Sequence, residues 1–135
     1  MTRLPDWKLR LDRFLKAEAR RPFAYGQADC ALFAAGAVAA MTGTDHAAAF
    51  RGRYDTLSGG LALLRAAGFD DHEALAAHHL PAVHPGRAGI GDIAVFEGRH
   101  APVLGVVIGA VVRVRAEGAG LASYSRDTVI RAYRP

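Results

Sequence analysis

The chain has 135 residues, 51% of them hydrophobic and 22% charged, and a net charge of +4. That length fits a single domain, residues 1–135, able to bury a core without staples, and the composition excludes a disordered chain. No stretch approaches the roughly 18 apolar residues needed to span a bilayer. The N-terminus, MTRLPDWKLRLDRF, has no signal-peptide h-region. Cys30 is the only cysteine, so no internal disulfide can form and nothing demands an oxidising compartment. Synthesis in the cytoplasm is the expectation.

Residues 6 to 19 form the first predicted helix. Trp7, Leu11, Phe14 and Leu15 recur at helical spacing with charges between them, and Trp7 and Phe14 are read as core contacts. Residues 1 to 21 hold seven basic and three acidic side chains, the whole excess charge of the chain. Such a cluster can serve as a solvated helix face or can touch phosphate or an acidic surface. It lacks interleaved aromatics and a recognised motif, so no nucleic-acid partner is expected.

Pro22 closes this segment, and the loop FAYGQA leads to Asp29, a good N-cap. Cys30 to Met41 contain no charge, which predicts a buried central helix, with Gly43 at its C-terminal cap. FRGRYDTLSGG reads as a loop running into a third helix through LALLRAA, stopped by Gly68. Asp70 or Asp71 caps a fourth helix through HEALAAHH, ended by Pro81. IGDIAVFEG, VLGVVIG, AVVRVRA, LASYSR and TVIRAYR then predict four or five antiparallel strands. Helices followed by strands indicate an α+β domain, with helices packed on one antiparallel sheet.

Cys30 is the first candidate for chemistry. A thiol in the first turn of a helix faces unpaired N–H groups and the positive dipole end, and both favour thiolate. Catalysis would also need a histidine to manage the proton and donors for an oxyanion. The plain alternative is a small apolar residue filling space beside an alanine-rich helix. His78, His79 and His84 lack a standard zinc spacing, and no metal or cofactor is expected. His46 beside Asp45 is a possible dyad. Asp92 is read as holding backbone N–H groups at a strand start. LSGGLALL lacks the lysine and hydroxyl chemistry of a phosphate loop.

Tyr25, Gly26, Asp29 and Cys30, then Gly91, Asp92 and Phe96, then Gly105, Val106, Val107, Ile108 and Gly109 follow one another in a familiar order. The layout resembles the NlpC-type papain-like peptidases, which cleave peptide bonds in bacterial cell walls, over about residues 7 to 115. It looks closest to a branch of small proteins encoded near tail genes of phages and prophages. In that branch tryptophan and phenylalanine precede the D-C, and a stretch like FRGRYDTLSGGLALLRAAGF follows it.

The resemblance implies a papain-like fold with the central helix starting at Cys30. It gives Cys30 the nucleophile's place, Asp29 the cap before it, and Tyr25 and Gly26 a substrate-binding position. It places the general-base histidine directly before the V-G-I-Y-I-G pattern, where this chain has Val103. The imidazole-orienting residue would fall near Arg113 or Arg115, and neither can accept an imidazole N–H. His100 stands three residues before Val103, roughly 10 Å along a strand, so only a tight turn at Ala101-Pro102 could bring it to the thiol. Two expectations follow. The first is a catalytically degenerate papain-like subunit of a phage or prophage tail, with other tail proteins and a cell-wall peptide as partners and a virion or tail-like particle as its destination. The second is an active cysteine hydrolase of cell-wall peptides, with Cys30 as nucleophile and His100 as a relocated base.

Overall fold

The computed structural model describes residues 2–118 and 120–135. Four helices come first: α1 (Trp7–Glu18), α2 (Cys30–Thr42), α3 (Leu57–Ala66) and α4 (His72–His79). Six strands follow: β1 (Ala82–Val83), β2 (Ile93–Phe96), β3 (Val103–Val107), β4 (Val111–Val114), β5 (Ala122–Ser125) and β6 (Arg131–Tyr133). They form one sheet in the order β1-β6-β2-β3-β4-β5, and every neighbouring pair is antiparallel. The fold is α+β. Among the described residues no helix is long and apolar enough to cross a membrane.

The caps explain the helix bounds. Asp29 accepts from the Leu32 N–H at the start of α2, and Gly43 closes it with φ +84° and an N–H donated to Ala39. Asp71, the second of the two candidate residues, caps α4 by accepting from Ala74. The third helix starts earlier than the sequence predicts. Thr56 accepts from Gly59, and both glycines of LSGG are drawn into α3. Gly60 packs on the Tyr54 ring, where a Cβ would lie 2.9 Å from ring carbons, so close packing supports these weak helix formers.

Among the described residues the sheet has six strands, which corrects the expectation of four or five. The additional strand, β1, is two residues long and pairs Ala82 with Tyr133 and Val83 with Ala132. Two residues after Pro81 carry no detectable period, so only the pairing reveals them.

The central strands β2 and β3 are buried on both faces, whereas the edge strand β5 is mostly exposed. Leu11, Phe33, Ala37 and Met41 pack with Ile93, Val95, Leu104 and Val106 on the helix side. Phe14 stacks on Phe33 with centroids 5.6 Å apart, and Trp7 joins the same cluster. On the opposite side Ala94, Phe96, Val107, Val112 and Val114 pack with Ala88 and Ala132. Asp92 sits between these layers, fully buried. It accepts from the Gly89 N–H at 2.8 Å, as the strand-start reading expects, and also from Arg3 and Arg134, each at 2.8 Å. One carboxylate thereby ties both chain ends to the start of β2.

Much of the N-terminal positive charge is spent within the fold. Arg3 pairs with Asp92, Arg10 with Asp6, Lys16 with Asp12 and Arg21 with Glu18. Arg115, buried at 1% exposure, donates to the carbonyls of Glu18 and Arg21 and lies 3.4 Å from the Glu18 carboxylate.

Candidate functional site

The site begins with Asp29. Its extended backbone turns the chain from the FAYGQA loop into α2. One carboxylate oxygen accepts from Leu32 at 2.9 Å, and the other from the Gly26 N–H at 3.0 Å and the Tyr54 hydroxyl. Tyr54 is therefore held as the neutral phenol by burial and by its bond to Asp29. Gly26 has φ +81°, and a Cβ there would lie 1.8 Å from the Tyr54 carbonyl oxygen. Its carbonyl accepts from Gly52 at 2.8 Å. The glycine is thus required by backbone contact between two loops. Tyr25, assigned to substrate binding with it by resemblance, is partly exposed and meets Phe23 edge-to-face at 4.8 Å.

Cys30 is the first residue of α2, keeps partial exposure and lines a cleft with Tyr25, His72 and Leu104. Burial pushes the thiol up to about 11, and the Asp29 carboxylate adds to the rise. The backbone amides of Leu104, Ala31 and Cys30 itself pull the other way and do not prevail. The thiolate expected from the helix N-terminus is therefore not favoured. The same aspartate that caps α2 offsets the positive dipole end with its own charge.

The partner strand sharpens the picture. Leu104 belongs to the helix-side cluster, whereas Val103 packs into the cluster on the opposite face. The position that the resemblance gives to histidine thus faces away from Cys30. His100 is exposed in the turn between β2 and β3, in a recess with Glu97, Arg99 and Arg131. Cys30 lines a different cavity, so the structure does not bring the two together. Arg113 donates to the Ser123 hydroxyl, and Arg115 clamps the end of α1, so neither orients an imidazole.

Two residues of the Cys30 cavity carry roles that the sequence did not reveal. His72, at the start of α4, is buried and donates through Nε2 to the Pro102 carbonyl, just before β3. The D-H-E sequence around it showed only a helix cap. Tyr54 lies 25 residues from Asp29, with no local signal of the bond between them.

The remaining histidines act structurally. His46 does not pair with Asp45, which instead binds Arg51 at 2.7 Å and the Ala47 N–H at 3.0 Å. The His46 ring stacks on His79 with centroids 4.0 Å apart and planes 16° apart. His84 accepts from Gly86 in a short 3-10 turn. Among the described residues no three metal-capable side chains converge.

No curated protein and no solved structure matches this chain. The family model described as "Domain of unknown function (DUF6950)" matches residues 2–135. The match covers almost the full length, and the chain belongs to the DUF6950 family.

Proposed function

We propose that this chain is a non-hydrolytic module with an NlpC-type papain-like layout, serving in a phage or prophage tail, whose Cys30 cleft binds a ligand without cleaving it. The observation that carries the loss of hydrolysis is the environment of the thiol. Val103, at the position the resemblance gives to histidine, lies on the far side of the sheet from Leu104, which faces Cys30, and burial pushes the thiol's pKa up rather than down. A cysteine hydrolase needs a base within about 3 Å of the thiol, directly or through one water. The layout is supported by an Asp29-capped helix beside the β2-β3-β4 meander. The placement in a tail rests on the likeness of the segments around Tyr25–Cys30 and 50–69 to tail-associated relatives of those peptidases. The partners in this reading are other tail proteins, and the ligand is a cell-wall peptide.

The test is incubation of the purified chain with peptidoglycan fragments, with release of peptide followed by mass spectrometry. The wild type and Cys30→Ala should give the same background. Cys30-dependent release would overturn the reading.

A second reading, an active cysteine hydrolase, finds support in one observation. His72 lines the same cavity as Cys30. Its Nε2–H is engaged by Pro102, which leaves Nδ1 as the atom to accept a proton. This reading requires turnover that is lost in both Cys30→Ala and His72→Gln.

A further inference from the structure

Part of the wall of the Cys30 cavity is made by two elements, the segment 43–56 through Ala47 and Phe50 and α4 through Leu75 and Ala76. Each is tied to the body of the fold on its own. In the segment, Arg51 binds Asp45 and donates to the Leu32 carbonyl of α2, Gly52 donates to Gly26, and Tyr54 donates to Asp29. On α4, His72 donates to Pro102 and Glu73 accepts from Arg131 and Tyr133. Just beyond the helix, the Pro81 carbonyl accepts from Arg134. Among the described residues no hydrogen bond or ion pair joins the segment to α4. They meet through the stack of His46 on His79, with centroids 4.0 Å apart and planes 16° apart.

This contact suits neutral rings. The surroundings offer little to hold a proton on it. α2 has no charged side chain, and Arg65 is the only one on α3. Asp45 is the acidic group that faces His46, and it is already bound to Arg51 at 2.7 Å. Glu73, the only acidic residue of α4, is engaged by Arg131 and Tyr133. His78 meets His79 edge-on with centroids 4.8 Å apart. An imidazolium carries hydrogen on both ring nitrogens. His46 Nε2 is buried with no hydrogen-bond partner, so the charged ring would aim a donor at no acceptor, which is costly. His79 is exposed and takes a proton first. A second proton, on His46, would set two like charges face to face. Burial first, and then the neighbouring imidazole, keep each ring neutral to lower pH.

We propose that the His46–His79 stack is an acid-operated seam in the wall of the Cys30 cavity: protonation of the two rings parts the segment 43–56 from the end of α4 and opens the cavity. The inference rests on the reading of the Cys30 cleft as a binding site and adds the control of access to it. Repulsion acts where the two elements touch, and each keeps its own ties to α2 or to the sheet. The opening is therefore local, and α2 and the sheet stay folded through it. Conditions below the ordinary histidine value of about 6.5 open the site, and neutral conditions keep it shut.

The experiment follows Cys30 of the intact chain with dithiodipyridine, a disulfide that reacts with thiols at acidic as well as neutral pH. The rate is divided by that of free cysteine at the same pH. Both thiols are largely protonated over this range, so the ratio reports access. It should rise at least tenfold from pH 7.5 to pH 5, with the near-ultraviolet circular dichroism unchanged. The double variant His46→Phe, His79→Phe keeps a pair of rings without a proton site, and its ratio should vary less than twofold. Amide hydrogen exchange of the wild type is the second measurement should that variant fail to fold. After correction for intrinsic rates, protection at residues 46–50 and 76–79 should fall over the same pH range while that of α2 and β2 holds. A ratio that stays flat or falls on acidification would overturn the inference. So would one that rises only together with loss of the dichroism or of α2 protection. Cys30-dependent release of peptide overturns the non-hydrolytic reading instead and leaves this pH profile as it is.

Discussion

The backbone amide of Leu104 faces the thiol of Cys30 and is the strongest of the groups that lower its proton affinity. The Leu104 side chain lies on the helix side of β3, and Val103 next to it lies on the other. A strand alternates its side chains between faces, so one position of register decides which residue meets the thiol. Replacing Val103 by histidine should therefore not restore a catalytic pair. Iodoacetamide labelling of Cys30 at pH 7 in Val103→His should stay within about twofold of the wild type. A tenfold acceleration would show that position 103 reaches the thiol.

Tyr54→Phe removes the hydroxyl from Asp29 and leaves the buried carboxylate with two backbone donors. A hydrogen bond to a charged group contributes about 1.5–3 kcal/mol. Denaturant unfolding should show a loss near the lower end, because Tyr54 is only partly buried. An unchanged midpoint would mean that the Asp29–Tyr54 bond does not hold the 50s loop to α2.

Asp92→Ala should cost more. It frees Arg3 and Arg134 together and strands the Gly89 N–H. Loss of one member of a buried ion pair costs about 3–5 kcal/mol. Both arginines retain some access to solvent, so about 3 kcal/mol is expected. Hydrogen exchange should report the loosening first at β6, which ends beside Arg134. Uniform exchange with no loss of stability would contradict this role for Asp92.

The stacked pair His46 and His79 makes stability depend on pH. Burial lowers both pKa values first. His79 then lowers His46 further, against a smaller opposing pull from Asp45, and His78 lowers His79. The unfolded chain binds protons near the ordinary histidine value of about 6.5, so it takes up more protons than the fold as pH falls. The contribution is complete above about pH 6.5 and is lost as pH drops through the lowered folded values. Melting temperature should fall between pH 7.5 and pH 5, and the fall should be smaller in His79→Phe. A flat profile in the wild type would contradict this.

How far the sequence reached is clear from particular residues. The limits of α2 were readable because Asp29 and Gly43 act locally at its ends. The purpose of Gly26 was not readable, because the atom that demands a glycine is the carbonyl of Tyr54 in another loop. The face taken by Val103 was hidden as well. Most of β3 is apolar on both faces, so no polar alternation marks which side meets the helices. His72 looked like any residue after a helix cap until Pro102 and the cavity came to lie beside it.

The proposed function requires Cys30 to be a protonated binding-site thiol and not a nucleophile. Its most direct test is the rate of Cys30 alkylation by iodoacetamide across pH in the native chain, with folding monitored at each point. Slow labelling is expected at pH 7, with a rise whose midpoint lies at about 11, or labelling that rises only as the fold opens. A midpoint below the ordinary thiol value of about 8.5, with rapid labelling of the folded chain at neutral pH, would contradict it.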